Sequence, residues 1–210
     1  MSPSLRQRLR LVLGGGSGEE ERARTPADRS SWAQLVAFTE DRRISAHVRL
    51  DSDRLSDTLN AHLEYELCDV LVEDLSSGAC VHEDGVLLAR DELLAVLTDG
   101  PRGDPGRRVR TLAHEVTVKT GPYLVRGNLH TAPGIDPLAS ARRRRPMIPL
   151  SDAWIEFRSG DALMGSVVGT VVVNRATADW IQLGFAPSGT IAMLDPVRVA
   201  VSGHGVSGGP

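Results

Sequence analysis

Two histidines and the two cysteines in the first half of the chain are the residue types that could hold a metal ion: His62, Cys68, Cys80 and His82. Thiolates and imidazoles bind Zn²⁺ tetrahedrally, and two of them, Cys80 and His82, share one face if they lie on a strand. The spacing nevertheless lacks the close ligand pair of common zinc modules. Core cysteines and surface histidines explain the same residues. We therefore expect no metal and no cofactor, with a zinc site or a metal-dependent enzyme as the alternative.

A second set of residues could bind a nucleotide: Arg42, Arg43, Asp74 and Ser76. The segment 74–78 reads DLSSG, which with the upstream arginines is similar to the motifs of PilZ receptors for cyclic-di-GMP. That resemblance implies arginines that grip phosphates bidentately and a turn that holds a guanine. The glycine comes one residue early and the arginine spacing differs from the family's. A hairpin turn explains the same residues, so a second-messenger sensor is a further alternative.

Four consecutive arginines form the strongest charge feature of the chain: Arg142, Arg143, Arg144 and Arg145. Guanidinium groups bind phosphates and carboxylates bidentately, so this segment could contact nucleic acid or an acidic protein surface. Few aromatic side chains are nearby to stack on bases, and the chain has a net charge of −3, which disfavours nucleic acid. We predict that the arginines lie in a loop and bind a protein partner, with a solvated loop as the alternative.

The charge layout favours self-association as well. Residues 40–99 carry 15 acidic and 5 basic side chains, a net charge of −10, whereas residues 110–185 carry 6 acidic and 9 basic ones, a net charge of +3. Opposite charges on the two halves favour docking of one half on the other, or head-to-tail assembly between chains.

No catalytic set is visible. The tail 205–209 matches G-x-S-x-G, but a nucleophile elbow needs a following helix and only Pro210 follows. The glycines at 14–18 lack the Lys and Ser/Thr of a phosphate-binding loop, and His114-Glu115 lacks the second histidine of a zinc protease motif. We therefore predict a non-enzymatic binding or scaffold protein.

The elements that would position these residues follow one order twice. Short apolar runs separated by turns give a hairpin, a helical turn at 54–60 with Leu55 and Leu59 on one face, and then further strands. From residue 115 the same order returns. Aligning Asp69 with Asp152 and Val86 with Val171 brings the two series into register, with an insertion around the four arginines in the second. The pattern predicts a tandem duplication.

The first copy resembles a small bacterial family described only as a domain of unknown function. The resemblance rests on RLSD at 54–57, LNA at 59–61, LCDV at 67–70 and the closing segment 86–90, and it implies a fold rather than a reaction. Asp57 and Asn60 are expected to cap or end the helical turn. The expected fold is mainly β, with two tandem small SH3-like or Sm-like β-barrel or β-roll domains and short helical turns. Two open α+β units, with a helix at 92–97, are the alternative.

The expected boundaries are a disordered or docking tail at 1–30, a first domain at 34–98, a Gly/Pro-rich linker at 99–110, a second domain at 111–201 and a flexible tail at 202–210. Within the first tail, Leu5–Leu13 has the pattern of a basic amphipathic helix that could dock on a partner. No apolar run is long enough to span a membrane, and with only two cysteines and no secretory layout the expected location is the cytoplasm.

Overall fold

The structure is a computed structural model that describes residues 32–98, 109–159 and 162–185, and the backbone of 192–193. The amphipathic segment Leu5–Leu13, most of the linker and the C-terminal tail lie outside the described residues. Residues 32–98 are called the first half below, and residues 109–185 the second half.

Both halves have the same order of elements. The first half contains β1 (Trp32–Phe38), β2 (Arg42–Arg49), α1 (Leu55–Ala61), β3 (Glu64–Asp74), β4 (Cys80–Ala89), a 3-10 turn (Arg90–Glu92) and β5 (Ala95–Thr98). The second half contains β6 (Leu112–Thr120), β7 (Tyr123–Thr131), α2 (Pro137–Arg143), β8 (Met147–Ser159), β9 (Ala162–Asn174) and β10 (Trp180–Leu183), followed by β11 (Ala192–Met193).

The described strands form one sheet in the order β10-β6-β7-β8-β9-β5-β1-β2-β3-β4, and β11 adds to β9. Within each half the order is therefore the same: the fifth strand, then the first, second, third and fourth. All neighbours on the main path are antiparallel, including β5 and β9, which join the halves. The protein is mainly β, as the sequence predicts. The segment proposed as a helix in the α+β alternative overlaps β5, so that alternative is wrong at this position.

Alternating side chains on the central strands give each half its own apolar core. On β1, Leu35 and Ala37 point into the core of the first half, whereas Val36 and Phe38 point into the core of the second. On β9, Val172 likewise reaches the first core from the second half. Because successive residues of a strand face opposite sides, one run of apolar residues serves both cores. The halves are thus packed into one continuous structure.

The two helices begin differently but bury the same face. In α1, Leu55 and Leu59 are buried one turn apart, at the positions that Pro137 and Ala141 occupy in α2. Asp136 caps α2, because its carboxylate accepts the Ala139 N–H at 2.6 Å.

This equivalence corrects two predictions. Only Arg144 and Arg145 lie in the loop between α2 and β8, since Arg142 and Arg143 are the last two residues of α2. Both helices have seven residues, and the segment that follows is only one residue longer in the second half. The insertion expected around the four arginines is therefore a single residue.

Two aspartates mark the same irregularity in both halves. Asp69 on β3 and Asp152 on β8 have positive φ, 52° and 47°, the only non-glycine residues of the described chain that do. Each lies where the ladder to the preceding strand shifts register, between β2 and β3 or between β7 and β8. Such β-bulges bend a strand and increase its twist.

Candidate binding surface

The arginine segment presents three exposed side chains and one inward-turned side chain. Arg142, Arg143 and Arg145 are exposed, and no hydrogen bond or ion pair holds them within the described part of the chain. Arg144 instead donates a hydrogen bond from Nη2 to the His130 carbonyl oxygen. Burial lowers the pKa of Arg144 from its ordinary value. The expected four-arginine surface therefore consists of three residues, and Arg144 fixes the end of α2 to β7.

Asn60, near the end of α1, lies at the junction between the two halves. The Asn60 side chain donates from Nδ2 to the Met147 carbonyl oxygen at 2.8 Å, and its Oδ1 accepts the Met147 N–H at 3.1 Å. Nδ2 also lies 2.8 Å from the Ser56 carbonyl oxygen. Asn60 is thus a bridge between α1 and the start of β8. Asn60 lies in the last turn of α1, but the sequence does not indicate its main partner, which is 87 residues away.

A second polar bridge across the junction comes from the end of β9. Asn174 donates from Nδ2 to the carbonyl oxygens of Arg90 and Leu93, at 3.0 and 2.9 Å. Tyr123 donates its hydroxyl to the Thr39 carbonyl oxygen at 2.6 Å. No local sequence pattern indicates either role, because each side chain bonds to a backbone group far away along the chain.

The residues of the PilZ-like alternative make hydrogen bonds and ion pairs with their neighbours in the hairpin. One carboxylate oxygen of Asp74 accepts the N–H and the hydroxyl of both Ser76 and Ser77, at 2.6–3.0 Å. These bonds hold the pKa of Asp74 far below its ordinary value. Arg43 pairs with Glu73 at 3.3 Å, and Arg42 lies 3.8 Å from the adjacent Asp41. The segment is the hairpin turn that the sequence also predicts.

The metal candidates are not brought together. On the ladder between β3 and β4, Cys68 lies opposite Gly85, whereas Cys80 lies opposite Glu73. Five residues of strand separate the two ladder positions, which is about 16 Å. Cys80 is exposed and Cys68 is half-buried. The described residues contain no group of three side chains that could hold a metal ion.

The two candidate histidines bind different aspartates. His62 hydrogen-bonds to Asp51, and this bond is the main reason that the pKa of Asp51 is lowered. His82 bonds to Asp69 at 3.0 Å, and His47 lies 3.7 Å from the other oxygen of Asp69. Sequence reasoning missed this His–Asp–His group at the bulge, and the group is exposed to solvent.

A buried ion pair in the second half was also missed. Arg126 on β7 and Glu156 on β8 meet at 2.5 Å, with 12% and 6% of their side-chain surfaces exposed. Neither residue type is expected inside a strand-rich core unless paired. The pairing depends on the β7–β8 register, which the order of residues does not specify.

Comparison with protein-family models, with curated proteins and with solved structures gives no match. The resemblance of the first copy to a bacterial family therefore stays a prediction. No helix of the described residues is both long enough and apolar enough to cross a membrane.

Proposed function

We propose that the protein is a non-enzymatic binding and scaffold module whose second half contacts a carboxylate-bearing protein surface through Arg142, Arg143 and Arg145. The observation that carries this proposal is the exposure of these three guanidinium groups at one end of a short helix. Arg144 and Asp136 hold that helix in place, so the three cations are presented from a fixed element.

The architecture that we propose for this module is a tandem duplication of one small SH3-like or Sm-like β-barrel. Two observations support it: the identical strand order of the halves and the two left-handed aspartates at matching bulges. The duplication would explain why the sequence alignment of Asp69 with Asp152, and of Val86 with Val171, agrees with the ladder positions.

A carboxylate partner fits the surroundings better than nucleic acid does. The second half contains Trp154, Trp180, Tyr123 and two phenylalanines, but Tyr123 and Phe157 are buried, so few rings remain for stacking on bases. Arginine forms bidentate hydrogen bonds with carboxylates as readily as with phosphates. The amphipathic segment Leu5–Leu13 is proposed as a second contact with the partner on sequence grounds alone.

Fluorescence anisotropy with two labelled probes, a deca-glutamate peptide and a 20-nucleotide single-stranded RNA, tests this function. The intact chain is compared with the triple variant Arg142→Ala, Arg143→Ala, Arg145→Ala at low salt, where surface charges are least screened. We expect the peptide to bind the intact chain and to lose about tenfold in affinity with the triple variant. Arg110→Ala serves as a control for nonspecific attraction, because it removes one exposed arginine elsewhere.

Two results would contradict the proposal. If the triple variant bound the peptide as well as the intact chain does, the arginine segment would not be the contact. If RNA bound tightly and the peptide did not, the partner would be a nucleic acid.

A further inference from the structure

The two edge strands of the described sheet are equivalent, by strand order, to the two strands that pair with each other between the halves. The sheet ends at β4 on one side and at β10 on the other, and these two strands are not paired with each other. At the junction inside the chain, the strand equivalent to β4 is β9, and the strand equivalent to β10 is β5. β5 and β9 pair over four residues, from Ala95↔Val173 to Thr98↔Thr170.

Ladder positions give the equivalence residue by residue. Cys68 and Ser151 are equivalent because each directly precedes one of the aligned aspartates. Cys68 faces Gly85 and Ser151 faces Thr170, so Gly85 corresponds to Thr170. Following the ladders outward from the aligned aspartates shows that Phe38 corresponds to Lys119. Phe38 faces Ala95 and Lys119 faces Trp180, so Ala95 corresponds to Trp180. Repeating the internal junction between β10 and β4 would therefore pair Trp180 with Leu88 and Leu183 with Gly85.

From this equivalence we infer that a second copy of the chain adds head-to-tail, with β10 of one chain pairing antiparallel with β4 of the next. The inference rests on the proposed scaffold function and names its partner. The contact is heterologous, so repeating it gives a ring if the rotation closes and a filament if it does not.

The edges themselves are suited to pairing. The part of β4 that would pair, residues 85–88, and the whole of β10, Trp180–Leu183, contain no charged residue and no proline. Charges and prolines are the devices that keep edge strands from pairing with other chains. Trp180 and Leu183 also leave 42% and 50% of their surface exposed on β10. In addition, the net charges of the two halves have opposite signs, which favours an encounter between unlike halves.

The arginine segment fits the same contact at residue level. At the internal junction Asn60 of α1 bonds to Met147 at the start of β8. The residue that corresponds to Asn60 in α2 is Arg142, and the residue that corresponds to Met147 on β3 is Glu64. Both are exposed. In a head-to-tail contact Arg142 of one chain would thus face Glu64 of the next, a cation opposite a carboxylate.

The contact between chains would be weaker than the internal junction. Phe38 and Leu97, which are buried at the internal junction, correspond to Lys119 and Gln182. Asn174, which bonds to two carbonyl oxygens across the junction, corresponds to Ala89. Fewer apolar side chains and fewer hydrogen bonds are therefore available, and assembly is expected to depend on protein concentration.

Disulfide trapping tests the register. In the full chain with Cys68→Ser and Cys80→Ser, the pair Gly85→Cys and Leu183→Cys is expected to give covalent oligomers on mild oxidation, because facing Cα atoms of antiparallel strands lie within disulfide range. A Cβ at position 85 would meet no atom closer than 3.5 Å. The matched control combines Leu183→Cys with Val81→Cys, which lies four residues along β4 and roughly 13 Å out of register.

Charge reversal tests the Arg142–Glu64 pair by light scattering over a concentration series. We expect Arg142→Glu and Glu64→Arg each to weaken self-association about tenfold, and the double variant to recover most of the loss. Arg110→Glu, which reverses an exposed arginine outside the arginine segment, is the control for general charge effects.

Covalent oligomers with the in-register pair only, together with rescue by the double reversal, would establish the contact. A chain that is monomeric at all concentrations, or equal trapping by both cysteine pairs, would overturn it. Failure of this inference leaves the proposed function testable on its own, because deca-glutamate binding could still depend on the three arginines.

Discussion

Polar side chains bridge the two halves. Asn60 satisfies both backbone groups of Met147, which is 1% exposed. Removing the amide would leave a buried N–H and a buried carbonyl oxygen without partners. Leaving buried polar groups unsatisfied costs more than a hydrogen bond contributes.

Asn60→Ala is therefore expected to lower the free energy of unfolding by about 2–3 kcal/mol. For a chain of this length that corresponds to a decrease in Tm of about 5–10 °C, measurable by circular dichroism. Asn128→Ala is the control, since its side chain makes only a long hydrogen bond of 3.4 Å to Asp152. Equal effects of the two changes would contradict the role given to Asn60.

The tyrosine hydroxyls set an alkaline limit to stability. Burial raises the pKa of Tyr65 to about 12, and its hydroxyl donates to the Leu59 carbonyl oxygen at 2.5 Å. Burial also raises the pKa of Tyr123. A folded-state pKa above the ordinary value of 10.0 favours the neutral, folded form.

This stabilisation is present in full below pH 10 and is lost as the pH rises from 10 towards 12. We expect Tm to fall over that range, and to fall less steeply in Tyr65→Phe, which cannot ionise at this position. Thermal melts from pH 8 to 12 check the slope. A Tyr65→Phe variant with an unchanged slope would show that this residue does not determine the alkaline limit.

At the scale of elements, the paired bulges depend on a left-handed backbone at one residue. Asp152 has a φ of 47° on β8, where an aspartate is tolerated but a β-branched side chain is strained. Asp152→Val is expected to destabilise the protein by about 1–2 kcal/mol, whereas Asp152→Asn should change stability little. Urea midpoints of the two variants provide the measurement. Equal destabilisation by both would indicate that the carboxylate matters, and not the backbone conformation.

The order of the elements could be predicted from the sequence, because it depends on local patterns. Alternating apolar residues predicted the hairpins, and Leu55 and Leu59 indicated the helical turn that became α1. The alignment of Asp69 with Asp152 also agrees with the structure, although nothing in the sequence indicates a positive φ at either residue.

The contacts between distant elements could not be predicted in the same way. The position of the arginines at the end of α2 was missed because Asp136 and Pro137, which begin that helix, read equally well as a turn. The bridges from Asn60 and Asn174 join residues more than 80 positions apart. They exist only because β5 pairs with β9, and apolar runs such as 95–98 and 170–173 do not specify their partner.

For the whole molecule, the shared strands determine how it unfolds. β1 contributes Val36 and Phe38 to the second core and Leu35 and Ala37 to the first, so neither core is complete without the other half. Two domains joined only by a linker would unfold independently. Halves that share strands and cores are instead expected to unfold in a single transition.

Tryptophan fluorescence can distinguish these outcomes because each half contains its own probe. Trp32 lies on β1 and Trp154 on β8. A variant with Trp154→Phe and Trp180→Phe reports on the first half, and one with Trp32→Phe and Trp180→Phe reports on the second. For each variant, we expect the urea transition followed by fluorescence to coincide with the transition followed by circular dichroism. Comparing the two curves of the same variant corrects for differences in stability between the variants. A fluorescence transition separated from that curve would mean that one half unfolds while the other stays folded, and that the β5–β9 pairing does not couple the two cores.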